Sequence, residues 1–218
     1  MPIQNYDGNT FVAFVDISGF KSLMLNRVKA ITSLRQFYQT GFDLISEQAT
    51  HPIKVEGFFI SDCAVLFIRN GLNNCNIALE KLLNIIEKLN RKMLENDLML
   101  TTSVCFGYLN YEGKFEISGT EKNQIFGDAY VEAFLDNEVG KPKIKPGECR
   151  LLIKNLPDGI ADSFLTNAEL NRLIKKGNHF YFYWMVNTVN EIDEFMKRYN
   201  DSYNLQFRGM IEALKNRQ

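Results

Sequence analysis

Few residues of this sequence are suited to binding zinc or to forming a disulfide framework. Its 218 residues include four cysteines and two histidines. The cysteines are widely spaced and form no C-x-x-C pair, and His51 and His179 each stand alone in the sequence. This spacing matches none of the usual zinc patterns. We expect the cysteines to be reduced thiols, as they are in cytoplasmic proteins.

The sequence also lacks an excess of charge of either sign and lacks long apolar runs. Its 25 Lys and Arg residues balance 26 Asp and Glu residues, which leaves a net charge of −1. This balance argues against broad binding to nucleic acid. No apolar run approaches the ~18 residues of a membrane span, and no secretory signal is visible. We therefore expect a cytoplasmic protein that contacts neither nucleic acid nor membrane.

Glycine and proline are too sparse for a disordered or linker-rich chain, at 14 and 5 residues. The hydrophobic fraction of 45% and the charged fraction of 23% are those of an ordinary globular protein. The length fits about one large domain.

Hydrophobic periodicity predicts alternating strands and helices along the first two thirds of the chain. A buried helical stripe is strongest in residues 76–96, and a hairpin is expected to turn at or just before Ser61-Asp62. The predicted strands are residues 10–16, 52–60, 62–69, 98–109 and 114–119, and the predicted helices are 30–48, 76–96 and 127–138.

Residues 140–149 contain two glycines and two prolines and form the best candidate for a seam. A strand (150–154), a helix (166–176), an aromatic strand (179–186) and a helical tail from about 189 are predicted beyond it. The order of elements indicates an α+β fold, with helices over one face of a mixed or antiparallel sheet. We expect a core at residues 1–155 and a C-terminal α/β extension at 156–218, packed on the same domain.

Asp16 and Asp62 are the two acids most suited to chemistry. Each lies at the edge of a strongly apolar strand, where a carboxylate loses solvation unless a positive group meets it. If the two strands are neighbours, the carboxylates can share a divalent cation such as Mg²⁺, the usual arrangement at a nucleotide site. The backbone of residues 17–20 then offers N–H groups to phosphates at a helix start. The alternative, that the two acids only cap or turn their strands, stays open at this point.

Five segments together resemble class III nucleotide cyclases, over roughly residues 10–186. FVAFVDISGF (11–20) resembles the first metal-binding strand of that family. ISDCAVLF (60–67) resembles the second, in the form found in bacterial pyrimidine cyclases of the Pycsar anti-phage defence system. Weaker matches are TTSVCFGYL (101–109), IFGDAYVEAF (125–134) and GNHFYFYWMV (177–186).

The resemblance implies a ferredoxin-like βααββαβ core and a phosphorus-oxygen lyase. In the family, the ribose 3′-hydroxyl attacks the α-phosphate, expels pyrophosphate and closes a 3′,5′-cyclic nucleotide. Asp16 and Asp62 match the two metal aspartates, with Ile17 supplying a backbone ligand, and the cofactor is Mg²⁺ or Mn²⁺. Ile17, Ser18, Gly19 and Phe20 match the phosphate-binding turn. The family's sites are composite, so a homodimer with two equivalent sites is implied.

Departures from the family pattern bear on the substrate. Phe58 stands where purine cyclases carry a base-reading Lys, and Gln124 stands at the second base-reading position. A Gln offers both a donor and an acceptor to a base edge, and a Phe can bound a smaller ring. Together these residues favour a pyrimidine nucleotide, CTP or UTP, over ATP and GTP.

Other departures weaken the catalytic match. The transition-state Asn and Arg positions of the family are Val131 and Leu135, and the Arg of a third motif is Thr101. Catalytic cations must then come from elsewhere, and the sequence does not choose among its candidates. These are Lys54, Arg91, Lys141 and Lys143.

The function expected from the sequence is a metal-dependent pyrimidine nucleotide cyclase. Its product would be an alarm signal in anti-phage defence, sensed by a separate effector protein. Two alternatives stay open: a catalytically degenerate cyclase-like module that binds nucleotide or protein, and a purine cyclase that uses ATP.

Overall fold

A computed structural model describes residues 3–117, 120–203 and 206–215, and within them eight strands form one sheet. The strands are β1 (Tyr6–Ile17), β2 (Lys54–Ile60), β3 (Cys63–Arg69), β4 (Leu100–Ile117), β5 (Thr120–Phe126), β6 (Cys149–Leu152), β7 (Leu173–Lys176) and β8 (His179–Phe182). The helices are α1 (Phe20–Leu23), α2 (Arg27–Glu47), α3 (Cys75–Glu95), α4 (Asp128–Val139), α5 (Ile160–Thr166), α6 (Ile192–Tyr203) and α7 (Gln206–Lys215).

The sheet has the order β2-β3-β1-β4-β6-β8-β7, and β5 pairs with the outer half of β4. β4 and β6 run parallel, whereas the other neighbouring strands are antiparallel. The elements from β1 to β4 follow each other as βααββαβ, and helices flank the mixed sheet. The predicted α+β fold class is therefore confirmed. Beyond residue 155, β8 and β7 continue the same sheet from β6.

Helices cover both faces of the sheet, which corrects the expectation of helices over one face. The reason lies in β1, whose residues from Phe11 to Val15 are all buried. Phe11, Ala13 and Val15 belong to the core beneath α2 and α3, whereas Val12 and Phe14 belong to a second core beneath α4. A strand that is apolar on both faces needs cover on both. α4 packs against the strands through two small buried residues, Ala129 and Ala133.

The stripe predicted for the helix at 76–96 is confirmed: Leu79, Leu82, Ile86, Leu89 and Met93 are all buried on α3. The hairpin is also confirmed, since Ile60 pairs with Cys63 across the turn at residues 61–62. Within the described residues, no helix has both the length and the apolar content to cross a membrane. All four cysteines lie in those ranges and are free thiols.

Two predicted elements are wrong. The sequence predicts a return strand at 114–119, but the described part of that range, 114–117, is the end of β4, and the chain runs back along the sheet only with β5. β4 passes through Gly113, although its pairing with β5 shifts register between Glu112 and Phe115. The Gly113 N–H donates to Asn5 Oδ1 at 2.9 Å, and a Cβ there would approach Ile3 O at 3.0 Å. The range predicted as a helix, 166–176, instead contains the last residue of α5, a short 3₁₀ turn and β7. β7 forms a hairpin with β8 around Gly177, which has a φ of 59°.

A buried ionic network fastens α4 to the sheet. Asp136 near the end of α4 accepts hydrogen bonds from Arg150 Nε on β6 at 2.8 Å and from Ser103 on β4. His179 Nε2 on β8 lies 2.9 Å from the same carboxylate, and Arg150 is fully buried. Burial alone would raise the pKa of Asp136. The hydrogen bonds from His179, Arg150 and Ser103 outweigh burial and hold that pKa below its usual value.

We expect Arg150→Ala to lower the free energy of unfolding by about 3–5 kcal/mol, because it leaves the Asp136 carboxylate buried without its partner. Chemical denaturation of both proteins measures the difference. Arg198→Ala is the control, since Arg198 forms an exposed i,i+4 pair with Glu194 and its loss should cost less than about 1 kcal/mol. Equal losses in the two variants would contradict the assignment of the network as an anchor.

Candidate functional site

The chain brings Asp16 and Asp62 together at one end of the sheet. Asp16 is the penultimate residue of β1, and Asp62 lies in the turn that joins β2 to β3. Ser61 in this turn has a φ of 55°, and the tight reversal places Asp62 directly beside Cys63. One ligand atom from each of Asp16, Asp62 and Cys63 lies within 4.8 Å of the others.

Asp16 sits on a central strand with a neighbour on each side. In the strand register, it is opposite Cys63 of β3 and opposite Thr101 of β4. Cys63 Sγ donates to Asp16 Oδ1 at 3.2 Å. Paired residues of antiparallel strands share a face, and this is the face that α4 covers, because Phe14 and Cys63 belong to the core beneath that helix.

Burial makes the ionised form of Asp16 unfavourable. It raises the pKa of Asp16 to about 6, the thiol hydrogen bond from Cys63 opposes the shift, and the charges of Asp62 and Glu138 add to it. Burial and the neighbouring carboxylates also raise the pKa of the Cys63 thiol far above its usual value. The thiol therefore stays protonated and acts as a weak hydrogen-bond donor.

The donor set fits a hard divalent cation. Carboxylate oxygens are the ligands that Mg²⁺ and Mn²⁺ prefer, whereas a protonated thiol is not a ligand for either. A cation between Asp16 and Asp62 would offset both the burial of Asp16 and the repulsion between the two charges. Asp16 and Asp62 are the residues that would hold it.

The turn after β1 offers fewer free N–H groups than the sequence indicates. The N–H of Ile17 donates to Asp62 O at 3.1 Å, and that of Ser18 donates to Met99 O at 2.8 Å. Gly19 caps α1 with a φ of 75°, a conformation that suits glycine. The N–H groups of Gly19 and Phe20 have no acceptor within the described residues. Phosphate binding by the turn stays a prediction, in which these two N–H groups would be the donors.

Phe58 and Gln124, the two residues predicted to bind the base, do not share a face within one chain. Phe58 stacks on Tyr111, with ring centroids 5.7 Å apart and planes 21° apart. Ile125 pairs with Tyr111 and packs in the same core as Phe58. Gln124 comes directly before Ile125 on β5, so its exposed side chain points to the opposite face of the sheet. Their roles in base binding stay predictions.

A groove of about 430 Å³ runs along β2 beside Phe58. The aromatic rings of Phe42, Phe58 and Tyr111 line it, together with the ion pair of Lys54 Nζ and Glu56 at 3.0 Å. A cavity of this size admits a nucleobase.

Two of the four candidate catalytic cations form ion pairs with glutamates. Lys54 pairs with Glu56, and Arg91 pairs with Glu87 and donates to Trp184 O at 2.8 Å. The positions expected for transition-state residues, Val131 and Leu135, lie about half exposed on the outer face of α4. Nothing in that pair can donate to a phosphate.

Three site residues escaped the sequence reasoning. Cys63 contacts Asp16 because the strand register places it there, and the predicted hairpin could have suggested it. Tyr111 and Asn137 are different, since they reach the site through the length of β4 and the packing of α4. No local pattern in the sequence marks either residue.

Comparison with known proteins gives matches to solved structures only. No family model matches the chain, and no curated protein sequence matches it. The adenylyl cyclase CyaB from P. aeruginosa superposes with a TM-score of 0.53 and 13% identity, over 82% of this chain and 95% of that one. The dimeric guanylyl cyclase domain of the RhoGC fusion protein from the aquatic fungus Blastocladiella emersonii gives 0.57 and 10%, over 84% and 98%.

A third similar structure is the guanylate cyclase domain of RhGC from Catenaria anguillulae in complex with GTP. It has a TM-score of 0.52 and 12% identity, over 82% of this chain and 96% of that one. At these identities, the likeness concerns the fold. The chain therefore has the fold of class III nucleotide cyclase domains.

We expect Asp16→Asn to stabilise the metal-free protein at pH 7 by about 1–2 kcal/mol. This figure is smaller than the full pKa shift would give, because solvent screens the charge of a partly exposed group. The folded-state pKa of Asp16, about 6, lies above 3.8, the usual value for an aspartate. Wild-type stability therefore falls as the pH rises from about 4 to about 6, and the variant lacks this loss. Urea denaturation with a chelator, at a series of pH values, measures the difference.

The exposed Asp43→Asn serves as the control, because the Asp43 carboxylate lies on the solvent side of α2, where it accepts a hydrogen bond from Gln39 Nε2 at 2.8 Å. A stabilisation of the Asp16 variant that stays constant from pH 4 to pH 7 would refute the assigned cause.

Proposed function

We propose that this protein is a metal-dependent nucleotide cyclase. The observation that supports the proposal most strongly is the approach of Asp16 and Asp62, with Cys63, to within 4.8 Å at one end of the sheet. This carboxylate pair occurs on a fold shared with adenylyl and guanylyl cyclase domains. A largely buried carboxylate beside a second carboxylate at a β-strand end is costly unless a cation is bound there.

In the proposed reaction, the 3′-oxygen of the nucleotide forms a bond to the α-phosphorus, and the bond from that phosphorus to the oxygen that bridges it to the β-phosphate breaks. Pyrophosphate leaves with that electron pair, and the proton of the 3′-hydroxyl passes to solvent. The cation, Mg²⁺ or Mn²⁺, supplies charge neutralisation when it is bound. Asp16 and Asp62 hold it, and the N–H groups of Gly19 and Phe20 donate to phosphate oxygens.

We propose a pyrimidine triphosphate, CTP or UTP, as the substrate. Phe58 is stacked on Tyr111 and presents an apolar ring instead of a Lys beside the groove along β2. Within one chain Gln124 faces away from Phe58, so Phe58 carries this part of the proposal. The cyclic product is proposed to act as a signal in anti-phage defence and to be sensed by a separate effector.

The proposed assembly is a homodimer with composite sites. The outer face of α4 supports it, because four large apolar side chains there are exposed. These are Val131, Phe134, Leu135 and Val139. A contiguous exposed apolar face is typical of an interaction surface. A similar solved cyclase domain, that of the RhoGC fusion protein, forms a non-canonical dimer.

One observation favours a second function, a cyclase-like module that binds nucleotide or protein without catalysis. Val131 and Leu135 occupy the positions of the transition-state residues and carry no polar group. A third function, conversion of ATP, is distinguished in the same assay as the first.

We expect the wild-type protein with Mn²⁺ and an equimolar mixture of the four NTPs to convert CTP or UTP to a cyclic nucleotide, read by mass spectrometry. Asp16→Ala and Asp62→Ala should lower the rate at least a hundredfold, because each removes a ligand of the cation. Asp43→Ala, an exposed acid on α2, is the matched control and should keep the wild-type rate.

Conversion of ATP in preference to both pyrimidines would refute the substrate assignment and leave the cyclase. No product from any of the four NTPs, with nucleotide still bound, would support the non-catalytic module.

A mixture of Asp62→Ala and Phe58→Ala proteins tests the composite site. If the metal and base residues of one site come from different protomers, each mixed dimer regains one intact site. Random mixing should then give about a quarter of the wild-type rate from the intact sites, more than either variant gives alone. Absence of recovery, with mixed dimers verified by native mass spectrometry, would place the whole site within one chain.

A further inference from the structure

A polar pair on β4 and α4 adjoins the carboxylate of Asp16. Thr101 pairs with Asp16 in the register of β1 and β4, so the two side chains share the face that α4 covers. The Thr101 hydroxyl donates to Asn137 Oδ1 at 3.0 Å. Asn137 is on the last turn of α4, and the charge of the next residue, Glu138, acts on Asp16.

The amide nitrogen of Asn137 is a buried donor with no acceptor among the described residues. The residue is 6% exposed, and the Thr101 hydroxyl fixes which way its carbonyl oxygen points. Such unsatisfied groups are uncommon in folded proteins, and a water molecule or a bound ligand is one common source of the missing partner. The hydroxyl of Ser18, two residues after Asp16 and 8% exposed, is unsatisfied in the same way.

The Asp16 carboxylate accepts few hydrogen bonds. Within the described residues, the hydrogen bond it accepts from a side chain comes from the Cys63 thiol, a weak donor. Asp62 and Glu138 both oppose its negative charge. A carboxylate that holds a cation must be ionised, and hydrogen bonds to its oxygens orient it for that role.

We propose that Asn137, held by Thr101, is a positioning residue for the Asp16 carboxylate. Its amide N–H donates to Asp16, directly or through one buried water, when Asp16 holds a divalent cation. The inference rests on the proposed function because it assumes the cation. It assigns a role to α4 of the same chain, distinct from the role of its outer face.

The test is the affinity of the purified full-length chain for Mn²⁺, measured by electron paramagnetic resonance without nucleotide. We expect Asn137→Leu, which keeps the volume but removes the donor, to weaken Mn²⁺ binding about 10- to 100-fold. Thr101→Val should weaken it in the same direction, and Thr101→Ser, which keeps the hydroxyl, should retain wild-type affinity. The double variant should lose no more than Asn137→Leu alone, since both changes act through one amide.

Thr102→Val is the matched control. Thr102 is the neighbouring residue of β4 and is fully buried, and its hydroxyl is also unsatisfied, but it points to the opposite face. Its substitution should leave Mn²⁺ affinity unchanged, whereas a general effect of altering β4 would appear in both Thr variants. Thermal melting of every variant shows which are folded. If Asn137→Leu does not fold, the Mn²⁺ affinity of Thr101→Val tests the inference instead.

Wild-type affinity in Asn137→Leu and in Thr101→Val, within twofold, would overturn the inference while leaving the cation site. An equal loss in Thr102→Val would also overturn it. Failure of the wild-type protein to bind Mn²⁺, or an unchanged affinity in Asp16→Ala, would contradict the proposed function as well. The two failures are therefore distinguishable.

Discussion

The pairing of β1 with β3 on one side and β4 on the other is the constraint on which the site depends. This register sets Asp16 between Cys63 and Thr101 and brings the β2–β3 turn, with Asp62, to the end of β1. The N–H of Ile17 donates to Asp62 O and joins the two segments once more. A slip of one residue would turn Asp16 to the opposite face of the sheet and separate it from α4.

The position of α4 depends on a different interaction. Asp136, Arg150 and His179 connect the end of this helix to β6 and β8, two strands that follow α4 along the chain. The C-terminal strands therefore take part in placing Asn137 and Glu138 beside β1. Burial of a charged network in this place favours one orientation of α4 over others, since a rotated helix would leave Arg150 without its carboxylate partner.

Much of the fold could be predicted from the sequence because its strands and long helices have clear apolar periods. The stripe on α3 and the hairpin at residues 61–62 are examples, and the acids at the strand ends indicated the candidate site. β7 was missed because four residues, Leu173–Lys176, carry too little pattern to distinguish a strand from a helix. The second helical layer was missed because a continuous apolar run such as 11–15 shows no face preference.

The residues predicted to bind the base show a second limit of sequence reasoning. Matching Gln124 to a family position fixes its place along the chain, but the direction of its side chain depends on the pairing of β5 with β4. Thr101 and Asn137 are 36 positions apart and meet only because α4 returns across the sheet. Contacts of this kind follow from tertiary packing and leave no local signal.

The shortness of the turn between β2 and β3 has a consequence for ligand binding. Ile60 and Cys63 are already paired, so Ser61 and Asp62 have almost no conformational freedom left to lose. A ligand residue on a long loop would give up backbone entropy of about 1–2 kcal/mol for each residue that becomes ordered on binding. Here that ordering is completed when the hairpin folds. Rigidity at this corner of the sheet is thus inherited from the strands. For the proposed cation site, this means that selectivity for ion size would follow from the spacing of the strands rather than from adjustment of a loop.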